Sequence, residues 1–164
     1  MNLRVFSANT NPLPYSDMNK SPMRVLLAKA GLEGHDSALI AMARSLKSAG
    51  MEVIYLGIHQ TAQSVARAAV EENADAVVLT VSTGSHRLIF PAVVRELRSA
   101  GSNALVTGAA DIVQGEREYL LSEGVGAIMD PSLAGTMIVE FLESWLAGKR
   151  EARKGHSPKP LVNA

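Results

Sequence analysis

Cysteine is absent from the 164 residues. Disulfides, thiolate metal sites and cysteine nucleophiles are therefore excluded. Aromatic side chains are scarce, at 4%, so the core is expected to be aliphatic and stacking on nucleic-acid bases is a poor basis for function. Net charge is missing as well. The 16 Lys and Arg balance 16 Asp and Glu, whereas a general nucleic-acid binder carries a basic excess. No apolar run approaches the roughly 20 residues of a membrane span, and the N-terminus lacks the apolar region of a secretory signal. These absences point to a cytosolic protein with neither nucleic acid nor membrane as partner. The chain is also too short for a whole (β/α)8 barrel, which needs about 200–250 residues, and is read as one domain.

What is present is an alternation between two polar ends. Residues 1–22 are polar and proline-containing and read as an arm, with one short extended piece at 3–6. Residues 148–164 read as a basic tail. Between them, apolar runs at 23–29, 52–56, 76–81, 104–107 and 125–129 predict five strands. Helical spacing at 36–49, 62–72, 86–99, 113–123 and 133–147 predicts five helices. Leu39, Ile40, Met42, Ala43 and Leu46 can share one helical face, as can Val65, Ala66, Ala69 and Val70. Gly50 and Gly124 read as helix stops, and Thr61 as an N-cap. Pro91 is tolerable only in or near the first turn of its helix. Strands alternating with helices through short connections imply a parallel sheet covered on both faces. At this size the expected architecture is α/β: a flavodoxin-like doubly wound five-stranded sheet in the order 2-1-3-4-5.

In such sheets ligands bind beyond the carboxyl ends of the strands, near the switch point between strands 1 and 3. Three of the four histidines, His35, His59 and His86, fall on that edge, and His156 lies in the tail. Glu33-Gly34-His35 sets a carboxylate two residues before an imidazole in a glycine-bracketed turn. A carboxylate bonded to one ring nitrogen fixes the tautomer and raises the basicity of the other, the usual arrangement behind a metal-ligating histidine. The same stretch also fits a plain helix N-terminus, capped by Asp36 or Ser37, with His35 idle. Other templates fail. There is no Walker A sequence, no G-x-G-x-x-G after a strand, no H-E-x-x-H and no G-x-S-x-G elbow. The third strand ends in Thr80, Ser82 and Thr83 where a receiver domain needs an aspartate.

The stretch RVLLAKAGLEGHDSALIAMARSLKSAGMEVIYLGIHQT resembles the cobalamin-binding domain of the acyl-CoA mutases, such as methylmalonyl-CoA and isobutyryl-CoA mutase, and the resemblance runs over about residues 23–147. The family motif is Asp-x-His-x-x-Gly, then Ser-x-Leu, then Gly-Gly. His35 matches the motif histidine, which implies that it is the axial ligand of cobalt. Glu33 stands for the Asp, and Ala38 for the motif glycine. Thr80-Val81-Ser82 stands for Ser-x-Leu, and Gly108-Ala109 for Gly-Gly, or Ala109-Ala110 if the loop length is kept strictly. The resemblance implies a groove for the cofactor's nucleotide tail, lined by the second and third segments. The cofactor residues it implies are Glu33, Gly34, His35, Asp36, Ser37, Gln60, Thr61, Thr80, Ser82, Gly84, His86, Gly108 and Ala109. It implies adenosylcobalamin as cofactor and a large mutase subunit with a substrate-binding barrel as partner. The chain would be the cobalamin-binding small subunit, without an autonomous activity. Two other readings stand beside it. A methyl-carrying corrinoid protein would bring an N-terminal four-helix cap. A cofactor-free paralogue would serve as a regulatory or scaffolding module.

Overall fold

The computed structural model describes residues 21–32, 34–81 and 84–154. The arm over residues 1–20, with its extended piece, and the tail beyond residue 154 lie outside the described residues, as do Glu33 and Ser82. The elements run β1 (Arg24–Ala30), α1 (Ser37–Ser48), β2 (Glu52–Gln60), α2 (Ala62–Glu71), β3 (Ala76–Val81), α3 (His86–Ser99), β4 (Leu105–Ala109), α4 (Gln114–Ser122), β5 (Ile128–Met129) and α5 (Ala134–Lys154). All four strand pairs are parallel and the order is β2-β1-β3-β4-β5, as expected.

Period-two alternation within the strands builds two cores. Leu26, Ala28, Val77, Leu79 and Val106 face α2, α3 and α4, and meet Val65, Phe90, Val93, Leu97 and Leu120. Val25, Leu27, Ala76, Val78 and Ala109 face α1 and α5, and meet Leu39, Met42, Leu46, Ile138 and Leu142. Both sheet faces are thus dry, which is why the central strands read as nearly continuous apolar runs. No helix of the described residues is long and apolar enough to cross a membrane.

Several boundaries differ from the sequence expectation, each for a local reason. The first helix does stop at Gly50. That residue takes φ 82°, its amide donates to the carbonyl of Lys47, and Met51 N–H reaches Leu46, the pattern of a Schellman cap. Ile40 and Val70 are 38% and 37% exposed and sit at the margin of their helices' apolar faces, not under them. Pro91 is the sixth residue of α3, past the first turn. The buried side chains Phe90, Val93, Val94 and Leu97 hold that helix against the sheet despite the missing N–H. The second strand continues past Leu56 to Gln60 through two register shifts. The fourth continues through Gly108 and Ala109, because both still pair with β3 and β5. The fifth shortens to two residues, since the Val125 amide closes the end of α4 on Leu120. The last helix runs seven residues past the expected end at Ala147, into the predicted tail. There Lys149 lies over the Trp145 ring at 4.6 Å, one turn away.

Candidate functional site

The carboxyl edge of the sheet gathers the predicted residues from four strand ends. His35 stands in the connection from β1 to α1 with its side chain exposed. None of the described residues hydrogen-bonds its imidazole. Its carbonyl is held instead, by Nζ of Lys29 at 2.9 Å. Lys29 is the penultimate residue of β1, in register with Thr80 of β3. It therefore anchors the loop through the backbone and leaves the imidazole uncommitted. Asp36 occupies the N-cap position of α1 but makes no side-chain cap bond, and Ser37 is the first helical residue. The idle-cap alternative thus loses its capping bond. Gly34 is open, with nothing within 4 Å of where a Cβ would stand.

The end of β2 is tightly tied. Gln60 Nε2 donates to the carbonyls of Leu56 and Ile58 at 3.2 and 3.0 Å, and its Oε1 accepts from Ser64 at 2.8 Å. Thr61 and Ser64 form a reciprocal capping box on α2, as the N-cap expectation for Thr61 required. These two predicted site residues therefore spend their side chains on the fold.

Thr80 and Ala109 are neighbours across β3 and β4, on the sheet face covered by α1 and α5. The Thr80 hydroxyl oxygen is buried and has no hydrogen-bond partner among the described residues, an arrangement that costs stability unless something completes it. Ala109 is 3% exposed and belongs to the core on that face. Gly108 points the other way. A Cβ there would run into the backbone of Leu79, so strand packing by itself demands glycine.

His86, predicted as a cofactor residue on the same edge, begins α3 and is 4% exposed. Its Nε2 is 3.1 Å from Oε2 of Glu116 on α4. The distance suits a hydrogen bond, but neither ring nitrogen has a partner of bonding geometry among the described residues. Arg87 stacks over Tyr119 at 4.6 Å and reaches within 3.9 Å of Glu116. The imidazole of His86, the backbone N–H of Val113 and the Arg87 charge hold the Glu116 carboxyl below the ordinary carboxylate value, against desolvation. A carboxyl lowered on folding adds stability above its unfolded pKa and loses it as pH falls through the folded one. Glu116→Gln is therefore expected to flatten the fall of stability with acidification below about pH 4.5. Urea midpoints measured from pH 3 to 7 for both proteins check this; parallel curves would contradict it. Gly84, the remaining predicted residue, is exposed just before α3 and takes φ 88°.

The same edge is unusually apolar. The four most exposed large apolar side chains of the described residues are Leu32 (94%), Leu88 (74%), Val113 (69%) and Leu133 (60%). They follow β1, β3, β4 and β5 respectively. Single exposed leucines need no explanation, but these four share the carboxyl edge of the sheet. Sequence reasoning missed Lys29 and Glu116. A lysine closing an apolar strand was the available signal for the first. The second lies thirty residues from His86, so only folding brings the pair together. No cluster of three or more His, Asp or Glu that could cage a metal ion occurs among the described residues.

Comparison with known proteins gives a consistent result. Residues 23–131 match the B12 binding domain family. The 2-hydroxyisobutanoyl-CoA mutase small subunit of Aquincola tertiaricarbonis is 32% identical, over 80% of this chain and 98% of its own length. The pivalyl-CoA mutase small subunit of Xanthobacter autotrophicus is 38% identical, over 73% of this chain and 80% of its own. Among solved structures, a cobalamin-binding protein from Desulfitobacterium hafniense superposes with a TM-score of 0.64 at 17% identity, covering 75% of this chain and 58% of that one. That last likeness bears on the fold alone.

Proposed function

Because this chain belongs to the B12-binding domain family, we propose that it is the cobalamin-carrying small subunit of an acyl-CoA mutase in the cytoplasm. A separate large subunit supplies the barrel that binds the substrate. The small-subunit assignment is supported by the match to nearly the whole length of a relative that bears that name. The observation that carries the cofactor assignment is the exposed imidazole of His35, free of described partners and held only through its carbonyl. The donor set fits. Cobalt in this setting takes one nitrogen from the protein, and one accessible imidazole on an anchored loop answers that need without a chelating cage.

His35 would hold cobalt through a ring nitrogen, with Glu33 orienting the ring. Bound there as adenosylcobalamin, the group supplies the radical chemistry of carbon-skeleton isomerisation. This chain's own residues bind, orient and shield. Lys29 sets the height of the His35 loop. Gly34, Asp36 and Ser37 line its far side. The buried Thr80 hydroxyl, without a partner among the described residues, offers a hydrogen bond to the nucleotide tail beside Ala109. Gly84 and the backbone of Gln60 and Thr61 complete the rim, and the buried His86 backs it from within. The exposed Leu32, Leu88, Val113 and Leu133 form an apolar border that the large subunit covers.

The test is to mix the full chain with adenosylcobalamin, desalt it and record the visible spectrum. A retained corrinoid with histidine coordination is expected. A colourless protein, with or without a candidate large subunit, would leave the cofactor-free module as the better reading. Thr80→Val gives a finer check. Removing an unpaired buried hydroxyl without changing shape should raise the stability of the free protein by about 1 kcal/mol, while cobalamin affinity falls roughly tenfold as the hydrogen bond to the ligand is lost. Lower stability with unchanged affinity would remove Thr80 from the site.

A further inference from the structure

One strained residue on the carboxyl edge has no role in the site described so far. His59 sits at φ 58°, in the left-handed region that non-glycine residues seldom enter, although histidine, like asparagine and aspartate, enters it more readily than most. The other described non-glycine residue with positive φ is Asn73, at 48°. Its case is ordinary, because it follows the end of α2 and its amide closes on Val70. His59 ends no helix. It stands one residue from the end of β2, where the strand is deformed twice. Leu27 pairs with Tyr55, Ala28 with Gly57 and Ala30 with Gln60, so β2 inserts an extra residue at two points. Bulges of this kind redirect a side chain at the rim of a sheet.

The distortion is also reinforced. Gln60 ties the carbonyls of Leu56 and Ile58 on either side of Gly57, Ser64 holds Gln60, and the Thr61 capping box locks the next residue to α2. The Gly31 amide donates to the Gln60 carbonyl at 3.3 Å, which fastens the bulged end against the loop that carries His35. The His59 side chain itself is exposed. Strain that persists because its surroundings over-determine it is concentrated at ligand clamps.

We propose that His59 is a cofactor contact, its imidazole hydrogen-bonding a carboxamide on the rim of cobalamin. An imidazole offers one donor and one acceptor, the pair that an amide needs. This rests on the cobalamin reading of the site. It adds an imidazole whose task is to hold the corrin's periphery.

The experiment is a spectroscopic titration of the full chain with adenosylcobalamin, paired with thermal melting of the free protein. His59→Gly removes the imidazole and relaxes the backbone. The expected result is an affinity reduced about tenfold, with a melting temperature equal to or above that of the unaltered chain. A group that mattered only to the fold would move the melting temperature and leave the affinity alone. His59→Asn keeps a residue that tolerates the left-handed region but has a shorter reach. It carries the test if the glycine variant fails to fold, and its affinity should fall at least threefold. Unaltered affinity in the folded variants overturns the assignment of His59 and leaves the cobalamin reading standing. Failure of the unaltered chain to bind cobalamin overturns both.

Discussion

His35→Ala is expected to lose at least about 100-fold in cobalamin affinity, beyond the 10–100-fold typical of residues that only support a metal ligand. The histidine-coordinated spectrum should vanish, since no other described residue after β1 offers an imidazole at that position. The fold should be indifferent. The side chain is exposed, and the bond that fastens the loop runs from Lys29 to the His35 carbonyl, which alanine keeps. The stability change should stay within about 0.5 kcal/mol. Equilibrium denaturation of the free protein and a cobalamin titration, made on the same samples, check both halves. An alanine variant that binds with the original spectrum would end the axial-ligand assignment.

Gly108→Ala should do the opposite, ruining the fold before any question of the cofactor arises. The added Cβ would meet the backbone of Leu79 on the adjacent central strand. Leu79 is buried with both sheet faces covered, so that backbone has nowhere to move. Overpacking usually costs about 1–3 kcal/mol. Against an immovable strand the upper end, about 3 kcal/mol or more, is expected. That is a large share of a domain's typical 5–15 kcal/mol. Urea denaturation and the soluble yield measure it. Gly34→Ala is the control, because nothing lies near its Cβ position, and its midpoint should not move. A normal midpoint for the Gly108 variant would show that the strand relaxes. The matched motif glycine is therefore explained here by sheet packing, whatever the cofactor also requires of it.

The element order, the strand order and both apolar faces were readable from periodicity, because burial on two sides leaves a plain signature in the side chains. The ends of elements were less readable. Glycine, histidine and glutamine after Leu56 look like a loop, yet they remain paired through bulges that depend on the neighbouring strand. The tail read from residue 148 begins inside the last helix, which runs on to Lys154 with Lys149 packed on Trp145. The candidate site was legible where one residue acts through its own chemistry, as His35 does. It was illegible where two distant residues act together, as His86 and Glu116 do, or Lys29 and the loop it holds.

The missing cysteines, the balanced charge and the alternating apolar runs by themselves determined a parallel α/β sheet with a histidine after its first strand, since composition and periodicity are local properties of the chain. The tertiary structure alone decided which polar groups are committed. It buried His86 against Glu116, left the Thr80 hydroxyl without a partner among the described residues, spent Gln60 on the bulge and kept the His35 imidazole exposed. Hydrogen-bond partners and burial depend on residues far apart in the chain, and packing is what brings those together.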